Sequence, residues 1–234
     1  GCWVGRSTSM IKFENVTKKF PLGNLALDKI SFEIEDKEFV FFVGPSGAGK
    51  TTILKLLLRE FLPTSGTILL DDFDITSKEF TQVEILRRKI GMIFQDFKIL
   101  FDKNLFENIA LGLKVIGLMD DQIKKEVEEA LSLVGLAKKE MAFPVQLSAG
   151  ELQRVAIARA IVGDRDIILA DEPTGNLDPK TTWEIMKIFR KLEGKRTIII
   201  ATHNTDVVNS FQKRVLVLKQ GKLMKDERKG GYEV

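Results

Sequence analysis

Gly44-Pro-Ser-Gly-Ala-Gly-Lys-Thr-Thr52 is the stretch that decides the fold of this 234-residue chain. It matches G-x-x-x-x-G-K-[ST], a loop whose backbone N–H groups surround phosphates. The apolar run 39–43 precedes it and a helical pattern at 51–59 follows it, as a strand–loop–helix unit requires. Glycines let the backbone turn inward around an anion, and the helix start adds free N–H donors. The sequence therefore predicts a nucleotide-binding loop.

The residue types within this loop predict separate functions for its side chains. Lys50 is expected to reach the β and γ phosphates, and the Thr51 hydroxyl to ligate Mg²⁺. The predicted contacts to the nucleotide from this stretch are Gly44, Pro45, Ser46, Gly47, Ala48, Gly49, Lys50, Thr51 and Thr52. ATP and Mg²⁺ are the cofactors that we expect.

The strands around the loop are of two kinds. Alternating apolar residues predict an antiparallel sheet with one solvated face, from Ile11 and Phe13, from Ile30, Phe32 and Ile34, and from 66–70. Nearly continuous apolar runs predict strands of a parallel sheet buried on both faces, at 39–43, 167–170, 198–201 and 215–218. The first three of these runs lead straight into polar residues. Since ligands bind at the carboxyl ends of such strands, we predict a site there.

Helical spacing of apolar residues predicts helices over 121–136 and 151–162. The charged residues from Asp226 to Val234 suggest a loose tail.

Residues 1–9 are interpreted as an added leader or a misplaced start ahead of Met10, with a short native tail as the alternative. The single cysteine, Cys2, excludes an internal disulfide and suits a reducing cytosol.

Composition narrows the function classes. The chain is 44% hydrophobic and 29% charged, which excludes a mainly disordered protein. Its 36 basic and 33 acidic residues give a net charge of +3, too weak a bias for nucleic acid as the main ligand. No apolar run approaches the roughly 18 residues of a membrane-spanning helix, so any membrane contact is expected to pass through a partner.

Two carboxylates complete the candidate site. Asp171 ends the run 167–170, where it can hold Mg²⁺ through water, and Glu172 follows it. We predict that Glu172 aligns and deprotonates the attacking water. No Asn-Lys-x-Asp motif for guanine is present, which disfavours a GTPase. A small-molecule kinase stays open at this point.

Leu147-Ser-Ala-Gly-Glu151, together with the phosphate loop, resembles the nucleotide-binding domain of ABC ATPases from about Ile11 to Asp226. The resemblance implies an α/β P-loop NTPase core with a mostly parallel sheet, an antiparallel β-subdomain and an inserted α-helical subdomain. On this basis 10–234 is one domain, with 10–94 and 160–234 as the core and 95–159 as the helical part. Ala149 replaces the usual glycine and would crowd a phosphate if its φ were positive.

The resemblance also implies roles for further residues. Gln95 would contact Mg²⁺ and the attacking water, His203 the γ-phosphate, and Phe20 the adenine ring. Ser148, Gly150 and Asp178 would bind the nucleotide held by a second copy of the chain. The catalytic group is thus Glu172, His203 and Gln95, the Mg²⁺ group is Thr51, Gln95 and Asp171, and the active form is an ATP-dependent homodimer.

Within the family, Phe94-Gln-Asp-Phe-Lys98 and Ala201-Thr-His-Asn204 resemble the FtsE subfamily of cell-division ATPases. That resemblance implies a membrane subunit of the FtsX type, regulation of cell-wall hydrolysis, and a peripheral location on the cytoplasmic face of the membrane. The segment 97–117 would border the groove that accepts this subunit; the alternative is that its apolar side chains form the core of the helical subdomain, and we expect both, with only some of them exposed. The alternatives are the ATPase of a lipoprotein-release or macrolide-export transporter, and an ABC ATPase without a membrane partner, as in DNA repair or translation.

Overall fold

The computed structural model describes residues 10–230; the expected leader 1–9 and residues 231–234 lie outside them. The strands are β1 Ile11–Lys19, β2 Leu25–Ile34, β3 Phe39–Val43, β4 Ser65–Leu70, β5 Phe73–Asp74, β6 Ile90–Ile93, β7 Ile167–Asp171, β8 Thr197–Thr202, β9 Arg214–Lys219 and β10 Lys222–Glu227. The α-helices are α1 Lys50–Leu57, α2 Val83–Lys89, α3 Leu105–Val115, α4 Asp120–Leu133, α5 Ala149–Ile161, α6 Pro179–Leu192 and α7 Thr205–Phe211, and Pro144–Gln146 is a 3₁₀ turn.

The larger sheet has six strands in the order β10-β9-β3-β8-β7-β6. All its pairs are parallel except that between β9 and β10. Alternate residues of β3 enter different cores: Phe41 packs with the helices α3 to α7 on one face, and Phe42 with α1 and the second sheet on the other. Because both faces of these central strands are covered, the runs 39–43, 167–170, 198–201 and 215–218 are apolar, and the four predicted buried runs are confirmed.

The smaller sheet is antiparallel, in the order β2-β1-β4-β5. Phe13 of β1 stacks on Phe32 of β2 at 4.5 Å between ring centroids, and Phe32 meets Phe42 of β3 edge-on at 5.3 Å. These rings join the two sheets in one core. The predicted antiparallel sheet with one solvated face is confirmed.

Two helix predictions are confirmed with shifted ends. The helix predicted over 121–136 is α4, which ends before the turn at Gly135, and the one over 151–162 is α5. The helices α3, α4 and α5 pack on one another in the middle of the chain. The predicted loose tail was wrong at its start, because Asp226 lies in β10 and accepts hydrogen bonds from Arg214 at 2.7 and 2.8 Å.

Candidate nucleotide site

A cavity of about 880 Å³ opens at the carboxyl ends of β3, β7, β8 and β9. The predicted convergence of three strand ends is therefore observed, with β9 as a fourth. Most residues that were predicted to form the site within a single chain lie in the cavity wall. They are Phe20, Pro45, Ser46, Gly47, Ala48, Gly49, Lys50, Thr51, Thr52, Gln95, Asp171, Glu172 and His203. Gly44, the residue after β3, is not in the cavity wall, and its carbonyl oxygen accepts a hydrogen bond from Lys50.

Two glycines fix the path of the phosphate loop between β3 and α1. Gly44 has φ 150°, and a Cβ there would lie 2.2 Å from the carbonyl oxygen of Leu218. Gly49 caps α1 in a left-handed conformation with φ 106°, and its Cβ would lie 2.7 Å from the carbonyl oxygen of Ala26. Side chains are excluded at both places by backbone atoms, so the loop keeps its N–H groups close to the cavity.

Lys50 is buried at the base of the cavity, where its ammonium donates to the carbonyl oxygens of Gly44 at 2.6 Å and Pro45 at 3.1 Å. Glu172 Oε1 lies 3.8 Å from the same nitrogen. Burial lowers the pKa of Lys50, and the charges of Glu172 and Asp171 oppose this shift. A cation with little water around it attracts an anion strongly, as a phosphate-binding lysine requires.

Thr51 and Asp171 place a hydroxyl oxygen and a carboxylate side by side in the cavity wall. The Thr51 hydroxyl donates to Asp171 Oδ2 at 2.8 Å, and burial is the main cause that raises the pKa of Asp171. Within residues 10–230 no three His, Cys, Asp or Glu side chains form a metal site by themselves. Mg²⁺ that binds with a nucleotide needs only one or two carboxylates, because phosphates and water complete its shell. The donor pair fits such an ion.

Glu172 is held in an unusual conformation at the end of β7. Its φ is 46°, a left-handed value that is unfavourable for a residue with a Cβ. Its carboxylate accepts from the Thr202 hydroxyl at 3.2 Å and lies 2.8 Å from His203 Nδ1. Non-glycine residues in this region cluster at active sites, where the surrounding structure enforces them. The strand end thus directs this carboxylate into the cavity.

Gln95 and Phe20 lie in the cavity wall on different elements. Gln95 follows β6, and its Nε2 lies 3.9 Å from where a Cβ of Gly175 would be, next to Glu172. Phe20 follows β1, and its ring meets Phe61 edge-on at 5.3 Å. The Phe20 ring thus both packs against a neighbouring ring and faces the cavity.

The residues assigned to the second copy lie outside this cavity. Ser148 caps α5 and Asp178 caps α6, where Asp178 accepts from the Thr181 backbone at 3.0 Å and its hydroxyl at 2.5 Å. A Cβ on Gly150 would lie 2.4 Å from Thr181 Cγ2, so this glycine is needed for packing within one chain. Ala149 is the first residue of α5 and lacks a positive φ, so the condition for crowding is not met.

Further residues of the cavity were missed by sequence reasoning; they are Asn24, Ala26, Val217, Leu218, Lys219, Met224 and Lys225. A signal for some of them was present. The run 215–218 belongs to the same parallel sheet as β3, so its carboxyl end lies at the same edge.

Residues 27–175 match the protein-family model described as ABC transporter. The chain belongs to the ABC transporter ATPase family. This ABC ATPase is 48% identical over 224 residues to the cell division ATP-binding protein FtsE of Bacillus subtilis, covering 95% of the chain and 98% of the relative. It is 42% identical over 215 residues to FtsE of Escherichia coli K12, covering 92% and 97%.

A solved structure described as the dimeric structure of MJ0796, a bacterial ABC transporter cassette, superposes with a TM-score of 0.85 at 35% identity. The match covers 95% of this chain and 100% of that one. A second structure of MJ0796 is described as a dimeric post-hydrolysis state bound to ADP and Pi; it matches at 34% identity and a TM-score of 0.85, over 95% and 100% of the two chains. The predicted fold class and the FtsE resemblance are confirmed, and this ABC ATPase hydrolyses ATP to ADP and phosphate. Among residues 10–230, none of the helices has the length and apolar character to span a membrane.

Proposed function

We propose that this ABC ATPase is the ATP-hydrolysing subunit of an FtsE/FtsX-like complex that acts in cell division. The observation that carries the proposal is the 42–48% identity, over almost the whole chain, to proteins named cell division ATP-binding protein FtsE. In this proposal ATP binding causes two copies of the chain to dimerise. ATP hydrolysis is coupled to a membrane subunit that regulates the hydrolysis of the cell wall. The chain would then lie on the cytoplasmic face of the membrane, attached through that subunit.

The location of the residues predicted to act on a second copy supports the homodimer. The cavity holds the phosphate loop and the carboxylates, whereas Ser148, Gly150 and Asp178 are absent from its wall. Two identical chains that face each other would complete two sites at once, as in an isologous pair. The solved MJ0796 cassettes that match this chain are described as dimers.

The chemistry that we propose follows from the geometry of the cavity. The N–H groups of the phosphate loop and Lys50 bind the phosphates and stabilise negative charge that develops on them. Glu172 accepts the proton of a water that attacks the γ-phosphorus, while the bond from this phosphorus to the β–γ bridging oxygen breaks and ADP leaves. His203 Nδ1, 2.8 Å from the Glu172 carboxylate, orients that carboxylate. Thr51, Asp171 and Gln95 would hold Mg²⁺, which when bound neutralises charge on the β and γ oxygens.

A groove of about 810 Å³ is the proposed docking place for the membrane subunit. It lies between α2 and β6 on one side and α3 and α5 on the other. Leu111 and Val115 of α3 line it and are 46% and 70% exposed. Both belong to the segment 97–117, whereas Phe97 of that segment packs against the chain's own core.

The packing of α3, α4 and α5 on one another also supports the division into a core, 10–94 and 160–234, and a helical subdomain, 95–159. In this division the groove runs along the boundary, so a docked subunit would contact both parts.

Complementation tests the proposal. A bacterium that lacks its own FtsE and retains FtsX should divide normally with the wild-type chain and abnormally with Glu172→Gln. Purified Glu172→Gln should be a dimer in MgATP and a monomer without nucleotide, as measured by light scattering after gel filtration. A chain that stays monomeric under saturating MgATP, even with FtsX, would contradict the shared site.

A second experiment tests the groove. Leu111→Glu with Val115→Glu should abolish co-purification with FtsX while ATP binding is retained. Leu62→Glu is the matched control, because Leu62 is 43% exposed and lies outside the groove. Equal recovery of FtsX with all three proteins would exclude this groove as the docking place.

A further inference from the structure

The turn that follows Gln95 has an unfavourable backbone. Phe97 and Lys98 have φ values of 59° and 49°, two successive left-handed residues that each carry a Cβ. Left-handed residues normally occur singly, and glycine takes most such positions. The Lys98 N–H donates to the Asp96 carbonyl at 2.6 Å, which closes the turn tightly. A turn of this kind persists only where its surroundings enforce it.

Arg159 of α5 provides that enforcement. One guanidinium nitrogen donates to the carbonyl oxygen of Lys98 at 2.6 Å, and the other to that of Phe97 at 2.9 Å. The planar fork of an arginine fits two neighbouring acceptors at once, which the ammonium of a lysine does not. The guanidinium of Arg159 is largely buried, and this burial lowers its pKa. The two carbonyl oxygens take the place of water molecules that would otherwise solvate the cation.

The position of Arg159 joins two parts of the proposed site. It lies on the helix that begins directly after Ser148, about 16 Å further along at 1.5 Å per residue. The same helix therefore presents the motif assigned to the second nucleotide and anchors the turn two residues after Gln95. Arg159 also lines the groove between α2 and α3.

We propose that Arg159 is a positioning residue for hydrolysis: by binding the carbonyls of Phe97 and Lys98, it holds the turn that keeps Gln95 in the nucleotide cavity. The proposal rests on the role of Gln95 in the proposed function. It predicts that loss of the Arg159 fork lowers kcat and raises the Mg²⁺ concentration needed for half-maximal rate. Nucleotide affinity, which the phosphate loop supplies, stays the same.

The test compares Arg159→Gln with Arg154→Gln in the full chain. Arg154 lies on the same helix but pairs with the side chain of Glu184, at 3.2 Å. We expect kcat to fall about 10- to 100-fold in Arg159→Gln, the cost of a slightly misplaced catalytic group. The dissociation constant of a fluorescent ATP analogue should equal that of the wild type, and Arg154→Gln should keep the wild-type kcat. A wild-type kcat in Arg159→Gln would overturn the proposal.

A glycine rescue separates positioning from a general loss of structure. Lys98→Gly removes the cost of one of the two left-handed φ values, so the turn depends less on the arginine. The double variant Arg159→Gln/Lys98→Gly should recover part of the lost kcat; no recovery would contradict the proposal. If Arg159→Gln does not fold, as judged by circular dichroism, Arg159→Lys takes its place, because it keeps the charge and loses the fork.

Gln95→Ala distinguishes this proposal from the one on which it rests. A wild-type kcat in Gln95→Ala would refute the proposed role of Gln95 itself. A large loss in Gln95→Ala with a wild-type rate in Arg159→Gln would refute only the positioning by Arg159.

Discussion

Replacement of Glu172 by glutamine isolates the proposed proton-accepting role of this side chain. Glutamine has the same size and keeps an oxygen and a nitrogen where the carboxylate contacts Thr202 and His203. The left-handed φ of 46° is as accessible to glutamine as to glutamate, so the backbone stays in place. What the substitution removes is the negative charge that accepts a proton.

The magnitude follows from that single loss. A positioned general base contributes about 10²- to 10⁴-fold to a rate, so kcat should fall by this factor. This corresponds to about 3 to 5 kcal/mol of activation free energy. ATP affinity should be retained, because the phosphate loop and Lys50 are untouched. Lys50 also loses a counter-charge 3.8 Å away, which favours its interaction with phosphate.

The assay is phosphate release under saturating MgATP, with ATP binding measured by calorimetry on the same preparation. Glu193→Gln is the matched control, because Glu193 pairs with Lys213 outside the cavity and should keep the wild-type rate. Wild-type turnover by Glu172→Gln would refute the assignment of the base. A loss of ATP binding in parallel with kcat would show that the carboxylate acts on binding instead.

Three further substitutions test other parts of the structure. Lys50→Ala should raise the dissociation constant of ATP about 10- to 100-fold in calorimetry, since a charged hydrogen-bond donor is lost; unchanged affinity would contradict the phosphate-loop role. Lys37→Gly should stabilise the fold by about 1 kcal/mol and raise Tm by about 2–4 °C, because Lys37 has φ 59°, whereas Lys195→Gly, at a residue without a positive φ, should give no gain. Gly150→Ala should lower the free energy of unfolding in urea by about 1–3 kcal/mol, because the added Cβ clashes with Thr181 Cγ2. Adding Thr181→Ser, which removes that methyl group, should recover the lost stability; no recovery would exclude the clash as the cause.

Local patterns were sufficient where one segment carries its own signal. The run 39–43 is apolar at every position because it is covered on both faces, and the glycines and Lys50 that follow it define a loop without reference to distant residues. The sequence at the start of α3 also contains a local pattern that predicts where this helix begins. Asn104 and Glu107 form a capping box, readable as N-x-x-E in the sequence.

Contacts between distant residues explain what could not be predicted. The strand β10 is mostly polar, and it is held partly by Arg214, which pairs with Asp226 and also with Glu38, 176 residues earlier. The turn after Gln95 depends on Arg159, 61 residues beyond Lys98. No pattern of neighbouring residues encodes such a pairing, because its partners meet only after the sheets and helices have packed.

The two edges of the larger sheet have a consequence for how copies of this chain associate. At one edge, α5 packs on a face of β6 so closely that a Cβ on Gly91 would be 1.9 Å from the Ala160 carbonyl oxygen. At the other edge, β10 exposes Lys222, Lys225 and Asp226. Charged side chains on an edge strand resist the strand-by-strand addition that leads to aggregation. In the proposed homodimer, copies of this chain would therefore meet through the nucleotide-binding face and not through the edges of this sheet.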